Sequence, residues 1–246
     1  MAKLSMRTTW TKPPDNLSLD LNQVDVWRVS LKLEPDSIQW AESMLSADES
    51  RRAARFHFEK DRLRFTVSHG VLRDVLSRYL DYDPKQIDFK VGEYGKPAIT
   101  SDINLDFNLS HSGDYALIAV AREHKVGIDV ERFRQDMEID KIARRYFSEK
   151  ENAELMRLHP EQQLIGFFNC WARKEAYIKA HGLGLSLPLD SFDVSLTPNE
   201  PAILRATRPD AKEASHWTLL SLDVEEQYAG AVAVDGVDLD FRFWDQ

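Results

Sequence analysis

The nine residues Trp171-Ala-Arg-Lys-Glu-Ala-Tyr-Ile-Lys179 lie within a stretch, residues 162–181, whose apolar spacing predicts one long helix. At about 100° per residue, five side chains fall on the stripe that this pattern assigns to the buried face: Leu164, Phe168, Trp171, Glu175 and Ile178. Glu175 is the one carboxylate among them, and a buried carboxylate is costly unless it is paired, hydrogen-bonded or bound to a cation. Lys174 and Lys179 flank the stripe, and the combination predicts a partner for Glu175 elsewhere in the chain.

The composition is typical of a folded, acidic protein. With 43% hydrophobic and 30% charged residues, the 246-residue chain is long enough for one large domain or two of ordinary size. The net charge of -9 argues against a nucleic-acid binder. No apolar run reaches transmembrane length, and residues 1–20 lack the apolar core of a secretory signal. Because Cys170 is the single cysteine, no internal disulfide is possible, and we expect a cytoplasmic protein with no membrane partner.

The N-terminal part of the chain is predicted to contain a strand and two helices. Alternating valines predict a strand over Val24–Leu33, Ser46–Glu49 fits a capping box, and residues 61–80 keep helical spacing. Six basic residues are concentrated near the start of the second helix: Arg51, Arg52, Arg55, Lys60, Arg62 and Arg64. This cluster is either a solvated helical face, the usual outcome for charge runs, or a local site for an anionic ligand.

Two carboxylates are predicted to point the same way from one strand. Residues 115–121 form an apolar run, and Val126–Glu131 is predicted to return beside it as a hairpin partner. On the returning strand, the period of two places Asp129 and Glu131 on one face, about 6.6 Å apart. Such a pair is tolerated if it faces water or holds a cation. Other Asp-x-Glu copies occur, but this one follows Gly127, where we expect a ligand to approach the backbone.

A second half of the chain is predicted to repeat the first. Tyr228–Val234 resembles Tyr115–Ala121, and Val237–Phe241 resembles Val126–Val130. We therefore predict an α/β (α+β) fold of two pseudo-twofold-related halves, residues 1–125 and 126–246. Each half is expected to pack a small, mainly antiparallel sheet against a long helix, with the active site in the cleft between the halves.

Three motifs in order carry a resemblance to a known family. Phe107–Gly113, Gly127–Glu131 and Trp171–Lys179, together with Tyr94–Pro97, resemble the signature of the 4'-phosphopantetheinyl transferases. The chain length and the internal repeat resemble the monomeric surfactin-synthetase type rather than the shorter, trimeric holo-acyl-carrier-protein synthase type. The resemblance implies that Asp129, Glu131 and Glu175 bind Mg²⁺, with Mn²⁺ as a substitute. This assignment supplies a partner for Glu175, whereas the alternative is a set of salt bridges to lysines or arginines.

The resemblance also implies that coenzyme A is the co-substrate. Lys179 corresponds to a lysine that contacts its phosphates, and His111 and Ser110 lie in the motif that contacts it as well. Lys96 and Arg64 match positions that hold the nucleotide end, including the 3'-phosphate. For His111 the alternative is a loop histidine bonded to a backbone carbonyl. Arg51, Arg52 and Lys60 do not align cleanly with family ligands and stay candidates for phosphate or partner contact.

The reaction implied is transfer of 4'-phosphopantetheine to a serine of an apo acyl or peptidyl carrier protein, with release of adenosine 3',5'-bisphosphate. Lys179 and Mg²⁺ would neutralise the pyrophosphate, and Glu151 corresponds to the carboxylate proposed as the general base. Ser148 and Glu151 also fit a capping box, which gives Glu151 a structural alternative. Two other functions stay open: a noncatalytic coenzyme A or nucleotide-binding protein, and a metal-dependent phosphohydrolase.

Overall fold

The computed structural model of the chain describes residues 8–31, 34–99 and 104–246, so the last two residues of the predicted first strand lie outside it. Six α-helices occur in the part described: α1 (Pro35–Met44), α2 (Ala47–Ala53), α3 (Glu59–Leu80), α4 (Ile139–Tyr146), α5 (Glu149–Arg157) and α6 (Pro160–His181). Both predicted capping boxes form, with Ser46 and Ser148 as the N-caps of α2 and α5. No helix in these ranges is both long and apolar enough to cross a membrane.

The strands form two central sheets and two small ones. Over the same residues the strands are β1 (Gln23–Ser30), β2 (Phe89–Val91), β3 (Pro97–Ile99), β4 (Leu105–Ser112), β5 (Tyr115–Arg122), β6 (Val126–Arg132), β7 (Phe192–Val194), β8 (Leu204–Thr207), β9 (Thr218–Leu222), β10 (Tyr228–Val234) and β11 (Asp240–Asp245). The central sheets have the orders β11-β1-β5-β4 and β6-β10-β9, while β2 pairs with β3 and β7 with β8. The α/β class and the mainly antiparallel sheets are confirmed.

The two central sheets repeat one topology. In chain order, β1, α3, β4 and β5 correspond to β6, α6, β9 and β10, and both long helices have 22 residues. The three shared strands follow the orders β1-β5-β4 and β6-β10-β9, so the pseudo-twofold arrangement of two halves is confirmed. Strand β11 is additional, because it lies parallel to β1 in the first sheet. The division of the chain at residue 125 stays a prediction.

The predicted hairpin between residues 115–121 and 126–131 is wrong. Both edges of β5 are occupied by β1 and β4, so β6 crosses to the second sheet and pairs with β10 instead. For the same reason Val237–Phe241 is not the counterpart of Val126–Val130, since β11 pairs with β1. The match between Tyr115–Ala121 and Tyr228–Val234 does hold, because β5 and β10 are the central strands of the shared three-strand orders.

Strands β4 and β6 are the facing edges of the two sheets, and side chains of β4 join them. Asp106 Oδ2 accepts a hydrogen bond from the Val126 amide at 2.8 Å, and Asn108 Oδ1 accepts one from the Ile128 amide at 2.9 Å. Asp106 and Asn108 are two residues apart on β4, and this alternation of side chains toward β6 continues to Ser112, because β4 extends through this residue. His111 therefore lies in a strand and not in a loop, since only Gly113 and Asp114 form the turn.

Helix α6 is buried on most of its circumference. Its most buried side chains include Phe167, Cys170, Lys174 and Tyr177, which belong to the core beneath the second sheet or contact it. The predicted buried stripe is wrong in part: Phe168 and Ile178 are buried, but Leu164, Trp171 and Glu175 are only half-buried. Leu164 and Trp171 pack against the margin of the core, while Glu175 interacts electrostatically with Asp129 and Glu131 of β6.

Candidate active site

A contact between β6 and α6 forms the centre of the candidate site. Asp129 is 3% exposed, and its Oδ1 accepts hydrogen bonds from Lys179 Nζ at 2.5 Å and from Ser110 Oγ at 2.9 Å. Lys179 Nζ also donates to Ser110 Oγ at 3.0 Å, so the three side chains contact one another. Asp129 Oδ2 is buried and has no hydrogen-bond partner among the residues described. A buried carboxylate oxygen without a partner is costly, which marks this atom as a ligand position.

Gly127 explains how Asp129 reaches α6. A β-carbon at this position would lie 2.1 Å from Ala176 O and 2.2 Å from Ala180 N, both in the backbone of α6. Only glycine therefore lets β6 lie directly against the helix. The expectation that a ligand approaches the backbone at Gly127 is wrong, because the helix occupies that space. The close approach instead places Lys179 over Asp129, two residues further along the strand.

The three predicted metal-binding acids influence one another electrostatically. Burial and the negative charge of Asp129 raise the pKa of Glu131, and Ser112 Oγ donates a hydrogen bond to Glu131 Oε2 at 3.2 Å. Burial, and then Asp129, raise the pKa of Glu175 to about 7, and Glu131 adds to this effect. Lys179 lowers the pKa of both glutamates. The fold thus brings two carboxylates from a strand and one from a helix within the electrostatic influence of a single ammonium group, which contacts Asp129.

The chemistry of these donors fits a hard divalent cation. Magnesium prefers oxygen ligands, keeps several waters and is bound by one or two carboxylates together with substrate phosphates. Asp129 Oδ2 is the unpartnered oxygen that such an ion requires. No group of three or more His, Cys, Asp or Glu side chains in the described ranges is already closed around a metal position. The acids are therefore suitable ligands that have not converged, with Lys179 in contact with one of them.

A basic cavity of about 550 Å³ lies on one side of Glu131. Its lining includes four cationic side chains: Lys60, Arg64, Arg132 and Arg134. Arg64 donates a hydrogen bond to Asp114 Oδ1 at 2.8 Å and remains 17% exposed. Two members of the N-terminal basic cluster thus face the site, which favours the anionic-ligand alternative for them. This cavity is the chemical match for phosphate groups.

His111 lies on β4, within the electrostatic influence of Lys179 and Arg64. The residue is exposed, yet partial burial of its ring lowers its pKa, and the neighbouring His69, Lys179 and Arg64 lower it further. No described residue accepts a hydrogen bond from its ring, so the alternative of a backbone-bonded loop histidine has no support in these ranges. The imidazole faces a cationic environment in which an anionic group would be stabilised.

A second cavity, of about 480 Å³, shares Glu131 and Arg134 with the first and is mainly apolar. Its floor comes from Met137, which precedes α4, and from residues of α4 and α6: Ile142, Tyr146, Phe167, Phe168 and Trp171. Lys141 and Arg145 form a basic rim. The sequence interpretation missed this cavity, although Ile142 and Tyr146 are spaced by one helical turn. Glu131 therefore stands between a cavity suited to phosphates and a cavity suited to apolar groups.

Lys96 ties the elements of the site together. Its Nζ donates to Asp106 Oδ2 at 2.6 Å, to Val126 O at 3.0 Å and to Ala180 O at 3.5 Å. These acceptors belong to β4, β6 and the end of α6. The predicted coenzyme A contact of Lys96 is not tested by this arrangement, but its ammonium group already has partners.

Glu151 is completely buried, and both of its oxygens are engaged. Oε2 accepts from the Ser148 amide at 2.8 Å and pairs with Lys174 Nζ at 2.8 Å, while Oε1 accepts from the Val194 amide at 2.8 Å. The structural alternative, the capping box, is therefore present. A role as general base stays a prediction that this geometry disfavours, because the carboxylate would have to leave these partners to reach a substrate.

Comparison with known proteins identifies the family. The sequence model of the 4'-phosphopantetheinyl transferase superfamily matches residues 125–233, and that of the N-terminal part of 4'-phosphopantetheinyl transferases matches residues 32–123. The 4'-phosphopantetheinyl transferase HetI of Nostoc sp. is 38% identical over 97% of this chain and 99% of its own length. The chain belongs to the 4'-phosphopantetheinyl transferase superfamily.

A second relative supports the predicted surfactin-synthetase type. The 4'-phosphopantetheinyl transferase Sfp of Bacillus subtilis is 37% identical over 63% of this chain and 67% of its own, so the predicted surfactin-synthetase type and the transferase class of enzyme are confirmed. Among solved structures, the holo-[acyl-carrier-protein] synthase of Thermotoga maritima overlaps 48% of this transferase and 64% of its own chain, with 24% identity and a TM-score of 0.36.

Proposed function

We propose that this transferase moves 4'-phosphopantetheine from coenzyme A to a serine of an apo acyl or peptidyl carrier protein, with Mg²⁺ bound, and releases adenosine 3',5'-bisphosphate. The observation that carries the proposal is the buried Asp129, whose Oδ1 contacts Lys179 and whose Oδ2 has no partner among the described residues. Family membership supplies the reaction class, and this contact supplies a place where an anionic phosphate and a cation can meet.

Asp129, Glu131 and Glu175 are the proposed ligands of Mg²⁺ or Mn²⁺. When bound, the ion would supply positive charge against the pyrophosphate of coenzyme A. The three carboxylates form a donor set of hard oxygens. Burial and then mutual repulsion raise the pKa values of Glu131 and Glu175, and both effects favour a cation between the carboxylates.

Five residues are proposed to bind coenzyme A. Lys179 and His111 would hold its phosphates, with Ser110 orienting Lys179 through their 3.0 Å contact. Arg64 would contact the nucleotide end from the basic cavity, where it is supported by Asp114. Lys96 would contact coenzyme A near the end of α6. Its ammonium group would then have to release one or more of the acceptors to which it now donates. A ring of cations positions the leaving group and neutralises it, as phosphoryl transfer requires.

The carrier is proposed to approach from the apolar cavity beside Glu131. Carrier domains present their serine on a largely acidic surface, and the basic rim formed by Lys141 and Arg145 is complementary in charge. The apolar floor would accept the pantetheine arm or an apolar side chain of the carrier. We further propose that the enzyme acts as a monomer in the cytoplasm.

The attacking serine also needs a proton acceptor. Glu151 was predicted for this role, but its engaged oxygens favour a positioning role in which it fixes Lys174 and thereby α6. The pH profile of kcat of the Glu151→Gln variant would reveal direct proton transfer by Glu151.

Incubation of the protein with coenzyme A, Mg²⁺ and a panel of apo carrier proteins, followed by mass spectrometry of each carrier, tests the proposal. We expect one or more carriers to gain the mass of phosphopantetheine and the reaction to stop when EDTA is added. Unchanged masses across acyl, peptidyl and aryl carriers would contradict it. Release of inorganic phosphate without any carrier would instead support the phosphohydrolase alternative.

A further inference from the structure

We propose that Lys179 is a built-in competitor of the divalent cation: its ammonium group holds Asp129 in the metal-free protein and must leave that carboxylate when the metal binds. The inference rests on the proposed function, which identifies the cation as Mg²⁺ or Mn²⁺. It gives Lys179 a second position and a second role, in addition to its proposed contact with the phosphates of coenzyme A. The residue would contact Asp129 first and the substrate phosphate afterwards.

The contacts of Asp129 carry the argument. Lys179 Nζ lies 2.5 Å from Oδ1, while Oδ2 is buried and has no partner among the described residues. A divalent cation bound to Asp129 would lie within a few ångströms of the ammonium group, and two positive charges at that distance repel each other strongly in a partly buried site. The ion and Lys179 therefore cannot share Asp129 in the observed arrangement.

The surrounding charges explain why a competitor is present at all. Three partly or fully buried carboxylates lie near this position, and without a cation their burial and mutual repulsion would destabilise the folded protein. Lys174, the other lysine beside Glu175, cannot supply the charge because it is bonded to Glu151 and to the carbonyl oxygens of Leu189 and Phe192. Lys179 thus provides the compensating charge until the metal replaces it.

Lys179 is also able to move. Its side chain is 29% exposed, and a lysine carries its charge on a flexible four-carbon stem. Ser110 Oγ, which accepts from Lys179 and donates to Asp129, is the contact that would guide the exchange. Release from Asp129 frees the ammonium group for a phosphate at the moment when the ion takes over the carboxylate.

The first test measures Mn²⁺ and Mg²⁺ binding by isothermal titration calorimetry with neither coenzyme A nor carrier present. We expect Lys179→Met to bind the ion about tenfold or more tightly than the unmodified protein, because one positive charge has been removed from the site. Lys179→Arg keeps the charge and is expected to bind no more tightly than the unmodified protein. Lys85→Met removes an exposed lysine in the first half and serves as the matched control, with unchanged affinity. Equal or weaker binding by Lys179→Met overturns the proposal.

The second test uses the unmodified protein, so it does not depend on the folding of a variant. Brief acetylation with an N-hydroxysuccinimide ester, followed by peptide mass spectrometry, reports how free Lys179 Nζ is. We expect its acetylation to rise when Mg²⁺ is added, while acetylation of Lys85 stays constant. No rise at a saturating Mg²⁺ concentration overturns the proposal.

The two failures are distinguishable. If the carriers gain no mass but both tests succeed, the proposed function is wrong and the cation exchange at Asp129 stands. If the carriers are modified but Lys179→Met binds metal no more tightly, the proposed function stands and the exchange is wrong.

Discussion

Lys174 Nζ lies 2.8 Å from Glu151 Oε2, and the two side chains are 1% and 2% exposed. Lys174 also donates to the carbonyl oxygens of Leu189 and Phe192, so all three of its protons have acceptors within the core. The lysine adjacent to Glu175 in sequence therefore belongs to a different carboxylate. This pairing leaves Lys179 as the lysine on α6 that contacts the proposed metal-binding acids.

Loss of the buried ion pair is expected to destabilise the protein strongly. Lys174→Met should lower the free energy of unfolding by about 3 kcal/mol or more, because Glu151 would stay buried without a counterion. Urea denaturation followed by tryptophan fluorescence measures this. Lys141→Met, which removes the exposed pair with Glu138, is the matched control and should cost less than about 1 kcal/mol. Equal effects for the two variants would show that burial of the pair does not matter.

Glu151→Gln separates a structural role from a catalytic one. Loss of a general base commonly lowers the rate by about 10²–10⁴-fold. Because the carboxylate is bonded to Lys174 and two amides, we expect kcat per folded molecule to fall by less than about tenfold, with the loss appearing in stability instead. The pH profile of kcat should keep its acid limb. A flattened acid limb with intact stability would restore the general-base assignment.

Asp129→Ala is expected to abolish transfer while the fold survives. The change removes both the oxygen that contacts Lys179 and the unpartnered oxygen, and transfer to a carrier should fall by about 100-fold or more. The stabilisation of the protein by Mg²⁺ in a thermal-shift assay should disappear as well. Asp136→Ala changes an exposed aspartate of another Asp-x-Glu copy and is the control. Full activity of Asp129→Ala would remove the metal assignment.

Glu175 makes the stability of the metal-free protein depend on pH. Its folded-state pKa is about 7, raised from 4.5, so the folded protein retains a proton that the unfolded chain has released. The stability that this proton contributes is fully present below about pH 4.5 and is lost as the pH rises through about 7. At pH 8 Glu175→Gln should therefore be more stable than the unmodified protein, by about 1 kcal/mol after solvent screening, or about 2–4 °C in Tm.

Calorimetric melting curves at pH 5 and pH 8 check this prediction. The difference between Glu175→Gln and the unmodified protein should be smaller at pH 5, where both side chains are neutral. Saturating Mg²⁺ at pH 8 should stabilise the unmodified protein and narrow the difference, because a bound cation offsets the repulsion that Glu175 experiences. A difference that does not change between the two pH values would contradict the assignment.

Short-range patterns predicted much of the fold and of the site. The capping boxes at Ser46 and Ser148 depend on residues three positions apart, and both are present. The period of two along residues 126–131 correctly placed Asp129 and Glu131 on one side of a strand. The predicted partner of Glu175 stays a prediction, because Asp129, Lys179 and Glu131 influence its pKa but no described residue is hydrogen-bonded or ion-paired to it.

Contacts between residues that are distant in sequence could not be predicted from the same patterns. Two apolar strands separated by a short turn predict a hairpin, but β5 was already paired on both edges, and nothing local to residues 115–131 encodes that fact. The partner of Lys174 could not be predicted either, because Glu151 is distant in sequence and its capping box already explained it. The apolar cavity is formed between α4 and α6, and helical periodicity alone does not specify how two helices meet.

The hydrogen bonds that Asp106 and Asn108 make with β6 also bear on aggregation. Strands β4 and β6 are edge strands, and an uncovered edge offers unpaired backbone groups to any other chain. Side chains of β4, rather than a continuous backbone ladder, cover this edge of β6. A fragment that begins at Val126 would expose the backbone of the strand that bears Asp129, and it would be prone to self-association through that edge. The proposed catalytic strand is thus kept soluble by the half that lacks the acids.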